Sequence, residues 1–475
     1  MKKYGSVIAL LLSIVLMLSS CNVIKSNTVQ DSSSEVAKAA EITTTLSEAT
    51  SLPETTTASS SVATTAAPAA TQVTTVTTLP ETVKITTTVP PAPPAQVTTT
   101  EQVVAKMTAP PVTTPIVTAA PLVTTVAPVT APAPAIQPKL TAIDSTYTHN
   151  NLTADQKIVY NKILAAAKAR QTLITFDNNP SVETVTQVYS TIYSEEINLQ
   201  YLADSFKYEG NPVKRMQISF DYPAEVTNSM NAQTEAKANE IISKITPTMT
   251  AFDIVKYFHD TIVRSCTYDL NEEFQSTAYG ALVKGRATCQ GYSHAMALLC
   301  NKVGIENAFA TGFATEAHMW NMIKLDGNWY NMDVTWDDPD NIETPDLIMY
   351  DYFNVTNAEL GTRQIYPGLV PLPVATVNQD NYFTHNGLVA NSVSEAEQIL
   401  YNQYINAANN HSRYVNIKFA NKQIYDQAYS SLITNQGIFT IQAMANSKAT
   451  NKFNPESMSL MQNTDVCTFE IIISY

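Results

Sequence analysis

Three residues of the types that together perform thiol catalysis occur in order along the chain. Cys289 precedes apolar residues at helical spacing, which predicts that it lies at a helix N-terminus. There the helix dipole and free N–H groups favour the nucleophilic thiolate and can stabilise an oxyanion. His318 and Asp333 follow on two β-prone segments. A base that takes the thiol proton and returns one to the leaving amine, and a carboxylate that fixes its tautomer, complete the machinery for attack on a carbonyl.

The elements that position His318 and Asp333 are predicted to be the two strands of a hairpin. The Asp-Gly pair at 326–327 separates the two β-prone runs, and this pair favours a two-residue hairpin turn. The turn fixes the register, and in that register His318 and Asp333 are diagonal neighbours on one face. A one-residue slip would put them on opposite faces. The predicted cross-strand pairs are Leu325 with Asn328, Trp320 with Asp333, and His318 with Thr335.

Short motifs surround the three residues: Cys-x-Gly-Tyr at Cys289, His-x-Trp-Asn at His318 and Asp-x-Thr-Trp at Asp333. With these motifs, roughly residues 250–355 resemble the bacterial transglutaminase-like domain of the papain-type thiol fold. The resemblance implies an α+β fold with a Cys-His-Asp triad. It does not fix the reaction, because relatives include peptidases, deamidases, cyclases and non-catalytic scaffolds. Animal cross-linking transglutaminases have a Trp directly after the Cys, and here Gln290 follows, which argues against protein cross-linking.

Aromatic residues near the predicted triad are candidates for binding substrate. They are Tyr292, Trp320 and Trp336. The chain has 3 Trp, and all of them lie within the hairpin region. A Trp-rich core is the alternative explanation for this clustering.

Metal sites are the alternative use of these side chains. Cys289, His294 and Cys300 share the predicted helix but lack the i, i+4 spacing of a zinc site. An acidic stretch could form a calcium loop, but its spacing is not that of an EF-hand. The stretch comprises Asp333, Asp337, Asp338, Asp340 and Glu343. We predict no metal and no cofactor.

The first 21 residues have the pattern of an export signal. Lys2 and Lys3 precede an apolar run at 7–18 that is too short to span a bilayer comfortably. The run ends in Leu-Ser-Ser-Cys, which resembles the bacterial lipobox, with Cys21 as the lipidated residue. Lipidation would anchor the mature chain to the membrane without spanning it. An ordinary signal peptide with a chance Cys is the alternative.

Residues 22–145 have the composition of a disordered linker. Thr, Ala, Pro, Val and Ser dominate, and no aromatic residue occurs between Tyr4 and Tyr147. Without aromatic residues the stretch cannot bury enough surface to offset the entropy of ordering. Its Pro-rich runs favour extended polyproline II. We predict a stalk that projects the rest of the chain through a cell wall; O-glycosylation is left open.

Two small α/β modules are predicted to flank the central domain. The phrase Ile-Val-Tyr-Asn at 158–161 is echoed by Ile-Leu-Tyr-Asn at 399–402, and each copy ends in an alternating strand. The alternative is that any amphipathic helix followed by a strand looks alike. The predicted domains are a lipoprotein signal (1–21), a linker (22–145), an N-terminal α/β module (146–240), a transglutaminase-like catalytic domain (241–385) and a C-terminal α/β module resembling the first (386–475).

Composition limits the partners. The chain has 28 Lys and Arg against 42 Asp and Glu, a net charge of −14, and no basic cluster, which argues against nucleic acid. Its 5 Cys are too few for a disulfide scaffold, and we predict free thiols at Cys266, Cys300 and Cys467. The predicted function is an extracellular, lipid-anchored thiol enzyme acting on peptide or protein amides, most simply a cysteine peptidase. A binding or adhesion module that keeps the triad without using it is the alternative.

Overall fold

The computed structural model describes residues 81–84, 105–108, 142–199, 201–314, 317–339 and 346–475. All of them belong to one compact unit, residues 76–475. The predicted signal at 1–21, its Cys21 and most of the predicted linker lie outside the described residues. Within the described part of the chain, no helix is long and apolar enough to cross a membrane.

Two tetrapeptides of the predicted linker form strands. They are β1 (Glu81–Lys84) and β2 (Ala105–Thr108). Each pairs antiparallel with the edge of a sheet formed by one of the flanking modules. A sheet edge carries unpaired N–H and C=O groups, so a short extended segment gains main-chain hydrogen bonds there without needing a core of its own. This is where the structure differs from a linker that is disordered throughout.

The N-terminal module packs two helices on one sheet. Its elements are α1 (Tyr147–Asn151), α2 (Ala154–Lys168), β3 (Leu173–Thr175), α3 (Val182–Glu195), β4 (Leu202–Glu209) and β5 (Arg215–Phe220). Thr153 and Gln156 form a capping box that starts α2, and Ser181 caps α3. Tyr160 and Tyr189, each fully buried, anchor the two helices in the module's apolar core.

The central domain places a buried helix against an antiparallel sheet. Its elements are α4 (Ala224–Ile242), α5 (Ala251–Ser265), β6 (Thr267–Tyr268), β7 (Arg286–Ala287), α6 (Cys289–Lys302), β8 (Asn307–Phe313), β9 (Ala317–Leu325), β10 (Asn328–Met332), β11 (Gln364–Ile365) and α7 (Tyr382–His385), with short π and 3-10 helices at Gly280–Lys284 and Asn357–Leu360. The sheet order is β10-β9-β8-β11. From Cys289 to Cys300, every residue of α6 is buried, so this helix runs through the core.

The C-terminal module forms the third core. Its elements are β12 (Val389–Ala390), α8 (Val393–Asn409), β13 (Tyr414–Phe419), α9 (Lys422–Ala428), a π-helix (Tyr429–Thr434), α10 (Gly437–Lys448), β14 (Ser457–Asn463) and β15 (Thr468–Ile473). All six residues of β15 are buried, as expected for a strand in the middle of a covered sheet.

The two flanking modules share one topology. In the first, the strands lie in the order β1-β4-β5-β3; in the second, they lie in the order β2-β14-β15-β13, with β12 added beside β13. Every pair in the two four-strand series is antiparallel. Each module contains, in chain order, a helix, a strand, a helical segment and a β-hairpin. The second strand of the hairpin lies between the first strand of the hairpin and the strand that precedes it in the chain. The predicted superposition of the two modules stays a prediction, and this shared order is what supports it.

The predicted boundary between residues 240 and 241 falls inside α4. Ala238 and Ile241 of this helix pack in the central core, together with Phe258 of α5. The helix therefore belongs to the central domain, and the break between modules comes before Ala224, near the end of β5.

Candidate active site

Cys289 is the first residue of α6, as the sequence pattern predicts. Thr288 precedes the helix, and its N–H donates to the backbone oxygen of Gln275 at 2.9 Å, which ties the loop before the helix to the helix start. The first N–H groups of a helix have no partner inside the helix, so they are available to an oxyanion beside the sulfur. The Cys289 side chain is fully buried.

Gly291 allows a loop to cross the start of α6 at contact distance. A Cβ added at this position would lie 2.4 Å from the backbone oxygen of Gln275 and 3.0 Å from that of Thr277. Real Cβ atoms do not approach so closely, so the Gly of the Cys-x-Gly-Tyr motif has a steric reason. It lets the chain from 275 to 277 lie directly against the turn that carries Cys289.

The β9–β10 hairpin has the predicted register. Asn328 pairs with Leu325, and the ladder continues to Met332 paired with Asn321. Asp326 and Gly327 both have positive φ, 47° and 84°, as a type I′ turn requires. The ladder then ends, so the predicted pairs of Asp333 with Trp320 and of Thr335 with His318 do not form. The reason is tertiary: the Asp333 N–H donates to the Tyr352 oxygen at 3.2 Å.

His318 and Asp333 form a buried pair. The Nε2 atom of His318 lies 2.8 Å from Oδ2 of Asp333, and the two residues are only 1% and 2% exposed. The other carboxylate oxygen, Oδ1, accepts the backbone N–H of Trp336 at 3.2 Å. The Asp333 carboxylate therefore contacts the imidazole through one oxygen and accepts a backbone hydrogen bond through the other.

The ionised form of this pair is the favoured one. Burial by itself would lower the pKa of His318, but the charges of Asp333 and Cys289 and the hydrogen bond to Asp333 outweigh it and raise that pKa to about 9. Burial opposes ionisation of Asp333 as well, yet His318, then Arg363 and the Trp336 N–H, bring the pKa of the carboxyl below its usual value. An imidazolium at neutral pH is the partner that a thiolate needs.

The remaining ring nitrogen of His318 is the one left for Cys289. Nδ1 is buried and makes no hydrogen bond of standard geometry with a residue that the structure describes, although the thiol is close enough to raise the pKa of the ring. The hydrogen bond between sulfur and imidazole that the predicted roles of Cys289 and His318 require is thus not formed in this structure. Catalytic hydrogen bonds often tighten only when substrate is bound.

Two of the three residues predicted to bind substrate have internal partners instead. The Tyr292 hydroxyl donates to Oδ2 of Asp338 at 2.6 Å, and Trp320 Nε1 donates to Oδ1 of Asn331 at 3.0 Å. Trp320 also packs in an apolar cluster with Val355. The polar atoms of Tyr292 and Trp320 thus hold the loop and the strands around His318 and Asp333, and the predicted role of their rings in substrate binding stays a prediction.

Trp336 keeps a free polar atom next to the triad. Its ring lies edge-on to His318 with centroids 6.2 Å apart, and its Nε1 is buried with no hydrogen-bond partner among the described residues. A donor that is free beside the imidazole is compatible with the predicted contact to substrate, which stays a prediction.

Two side chains that contact the acidic residues of the site were not predicted from the sequence. His259 of α5 is fully buried, and its Nε2 lies 3.2 Å from Oδ2 of Asp337, four residues after Asp333. Arg363 lies with Nη2 3.5 Å from Oδ2 of Asp333. Neither belongs to a motif, and packing alone brings them to the site, so no local sequence signal could have identified them.

Side chains of the acidic stretch make hydrogen bonds within the protein. Asp337 accepts from the Tyr352 N–H at 2.9 Å, while Asp340 and Glu343 lie outside the described residues. Among the residues that the structure describes, no group of three or more metal-ligating side chains is placed to hold an ion. His294, from the rejected zinc set, has its Nε2 2.8 Å from the Ser194 oxygen.

The four described Cys residues form no disulfide with one another, which agrees with the thiols predicted at Cys266, Cys300 and Cys467. Burial raises the pKa of the Cys300 thiol strongly. Cys300 is therefore an inert core residue.

Comparison with known families agrees with the motifs. Residues 235–334 match the family described as the Transglutaminase-like superfamily. This match covers the start of α6, the hairpin and Asp333, and it supports a thiol-type enzyme in general. No curated protein matches the chain.

Solved structures give distant likenesses. A protein described as a candidate cysteine protease from Cytophaga hutchinsonii is 16% identical, with 28% of this chain and 56% of that chain covered and a TM-score of 0.19. A TGase is 15% identical, with 30% and 47% covered and a TM-score of 0.21. Menin, with its binding site for the Mixed Lineage Leukemia protein, is 12% identical, with 63% and 58% covered and a TM-score of 0.23. The chain spans about half the length of these proteins, and likenesses this weak carry no argument about activity.

Proposed function

We propose that this chain, whose residues 235–334 are a transglutaminase-like domain, is a thiol enzyme for acyl transfer or hydrolysis at peptide or protein amides. Its simplest activity is that of a cysteine peptidase. The observation that carries the proposal is the 2.8 Å contact between His318 Nε2 and Asp333 Oδ2, with Cys289 beside the other ring nitrogen.

The reaction follows from the roles of the three side chains. The Cys289 thiolate attacks the amide carbonyl carbon, and the first-turn N–H groups of α6 stabilise the oxyanion. The His318 imidazolium donates its proton to the leaving amine as the C–N bond breaks, which leaves a thioester on Cys289. Water or a second amine then attacks the thioester while His318 accepts its proton, and the C–S bond breaks to restore the thiolate–imidazolium pair. Asp333 keeps the imidazole oriented throughout.

A binding or adhesion module is the second candidate. All three triad residues are at most 2% exposed, and this burial favours a site that is closed to substrate. The two candidates differ in whether Cys289 reacts at all.

We also propose that the chain is anchored to the extracellular face of a bacterial membrane through a lipid on Cys21. The sequence pattern at 1–21 supports this placement. Metabolic labelling with an alkyne-tagged fatty acid tests it. Label on the wild-type chain and none on Cys21→Ser supports the anchor, and equal label on both removes it.

The activity is tested by incubating the chain with mixtures of peptides and cell-wall peptides and reading the products by mass. Addition of water with fragmentation identifies a peptidase, loss of ammonia with gain of water identifies a deamidase, and a joined mass identifies a transferase. Cys289→Ala is the matched control, and it should produce none of these. Turnover that persists in Cys289→Ala would contradict the proposal, and no product from either protein would favour the binding module.

A further inference from the structure

Arg363 is a buried cation beside the triad that no motif identifies. It lies between the 3-10 helix at Asn357–Leu360 and strand β11. Its side chain is 5% exposed, and Nη2 lies 3.5 Å from Oδ2 of Asp333, the oxygen that His318 contacts. Arg363 therefore approaches the catalytic pair from the carboxylate side.

The faces of two aromatic rings contact the guanidinium group of Arg363. Its central carbon lies 3.5 Å from the ring centroid of Tyr352 and 4.5 Å from that of Trp336. Nε, Nη1 and Nη2 are all buried, and none makes a hydrogen bond of standard geometry with a described residue. Burying an arginine without satisfying its donors is costly, and a side chain kept there only for packing would cost less as an apolar residue. The positive charge of Arg363 is thus the property that an apolar residue at this position would lack.

The charge acts on the groups around it. Asp333 faces Arg363 from the loop after β10, and behind Asp333 stand His318 on β9 and Cys289 on α6. Tyr352 and Asp351 face it from the segment after residue 346, and Asp351 is also attracted by Lys418 of β13. A fixed positive charge makes every nearby group harder to protonate. Arg363 accordingly favours the Asp333 carboxylate, and it limits how firmly Asp333 holds the imidazole proton.

We propose that Arg363 is a positioning residue of the active site, whose buried charge sets the pH range in which the Cys289–His318 pair is reactive. This inference rests on the proposed thiol chemistry. Arg363 does not touch the reacting atoms; it acts through Asp333.

The test is the rate at which iodoacetamide alkylates Cys289 in the full chain between pH 4 and pH 9, read by mass on the peptide that contains Cys289. The variants are Arg363→Gln and Arg363→Met, two neutral residues of different shape, and Arg363→Lys, which keeps the charge. Arg413→Gln is the control because Arg413 is exposed. Melting curves restrict the comparison to folded protein.

We expect both neutral variants to shift the acid limb of the profile to higher pH by about one unit, which is about tenfold slower alkylation at a fixed pH on that limb. Arg363→Lys should recover most of the shift, and Arg413→Gln should match the wild type. A purely structural role predicts loss of stability with an unmoved limb, and that result in either folded neutral variant would overturn the inference. If the alkylation rate of wild-type Cys289 has the pH dependence of an ordinary thiol and does not depend on His318, the result contradicts the proposed function itself and not only the role of Arg363.

Discussion

The proposed thiol chemistry depends on how three buried side chains share protons. Asp333 receives hydrogen bonds from His318 and from the Trp336 backbone, so it is an oriented carboxylate that is almost entirely buried. In such a site the ion pair is stronger than it would be in water, and the imidazolium form persists above the usual pKa of histidine.

The pH dependence of His318 follows from that pair. Its pKa is raised to about 9 against an unperturbed value near 6.5. The pair therefore contributes its full stability below about pH 6.5 and loses that contribution as pH rises through about 9. We expect the ring resonances of His318 to titrate near pH 9 by NMR. A His318 midpoint near 6.5 would refute the buried ion pair.

Cys289, His318 and Asp333 were predicted from residue types and spacing, because each lies in a local pattern: a helix start, or a strand next to a marked turn. Their catalytic role stays a prediction. Arg363 and His259 could not be predicted in this way. Arg363 follows Asp333 by thirty positions, and only the packing of the segment after residue 346 brings it back to the carboxylate.

At the scale of elements, the hairpin and helix α6 bring the triad together. The Asp-Gly turn fixes which residues of β9 and β10 are opposite, and the observed register equals the predicted one as far as Met332. The end of β10 could not be predicted, because it depends on the bond from the Asp333 N–H to Tyr352, a partner distant in sequence.

Gly291 should tolerate no side chain. In Gly291→Ala the added Cβ would lie 2.4 Å from the Gln275 oxygen. We expect a net loss of about 1–3 kcal/mol from overpacking, even though Ala gains up to ~1 kcal/mol over Gly in a helix. Chemical denaturation measures the change. Gly368→Ala is the control, since its Cβ would meet nothing closer than 3.5 Å. Unchanged stability of Gly291→Ala would show that the loop at 275–277 does not press on the helix.

The contact from α5 should hold the loop that carries Asp333. The Asp337 N–H donates to the Asp333 oxygen at 3.2 Å, and His259 holds the Asp337 side chain. His259→Leu leaves a fully buried carboxylate without its imidazole partner, and we expect a loss of about 3–5 kcal/mol.

A double-mutant cycle isolates this interaction. His259→Leu with Asp337→Asn should lose less stability than the sum of the two single changes, because the second substitution removes the unpaired charge. Thermal and urea unfolding measure the four proteins. Strict additivity would show that the two side chains do not stabilise one another.

On the scale of the whole molecule, two modules of one topology flank the transglutaminase-like domain. The repeated helix phrases predicted such a pair from local sequence, and the superposition of the two modules stays a prediction. The strands β1 and β2 were not predicted, because a Thr- and Pro-rich composition contains no signal for pairing with a distant edge. Their pairing with β4 and β14 makes part of the predicted linker a structural component.

Those two strands should matter for the stability of the flanking sheets. Residues 76–475 keep both strands, whereas residues 142–475 leave the edges at β4 and β14 unpaired. We expect faster hydrogen exchange in β4 and β14 and more self-association in the shorter chain, since an open edge invites pairing. Exchange in α6 is the internal control. Equal exchange of β4 and β14 in the two chains would show that β1 and β2 contribute nothing to the sheets.

The most direct test of the central claim is selective labelling of Cys289. The chain is treated with limiting iodoacetamide at pH 7, and each thiol is read by mass. We predict that Cys289 is labelled first among the four described thiols, and that His318→Ala slows it by about 10²-fold or more while His411→Ala does not. Labelling of Cys289 no faster than that of buried Cys300, or a rate indifferent to His318, would contradict a thiolate–imidazolium pair and with it the thiol enzyme.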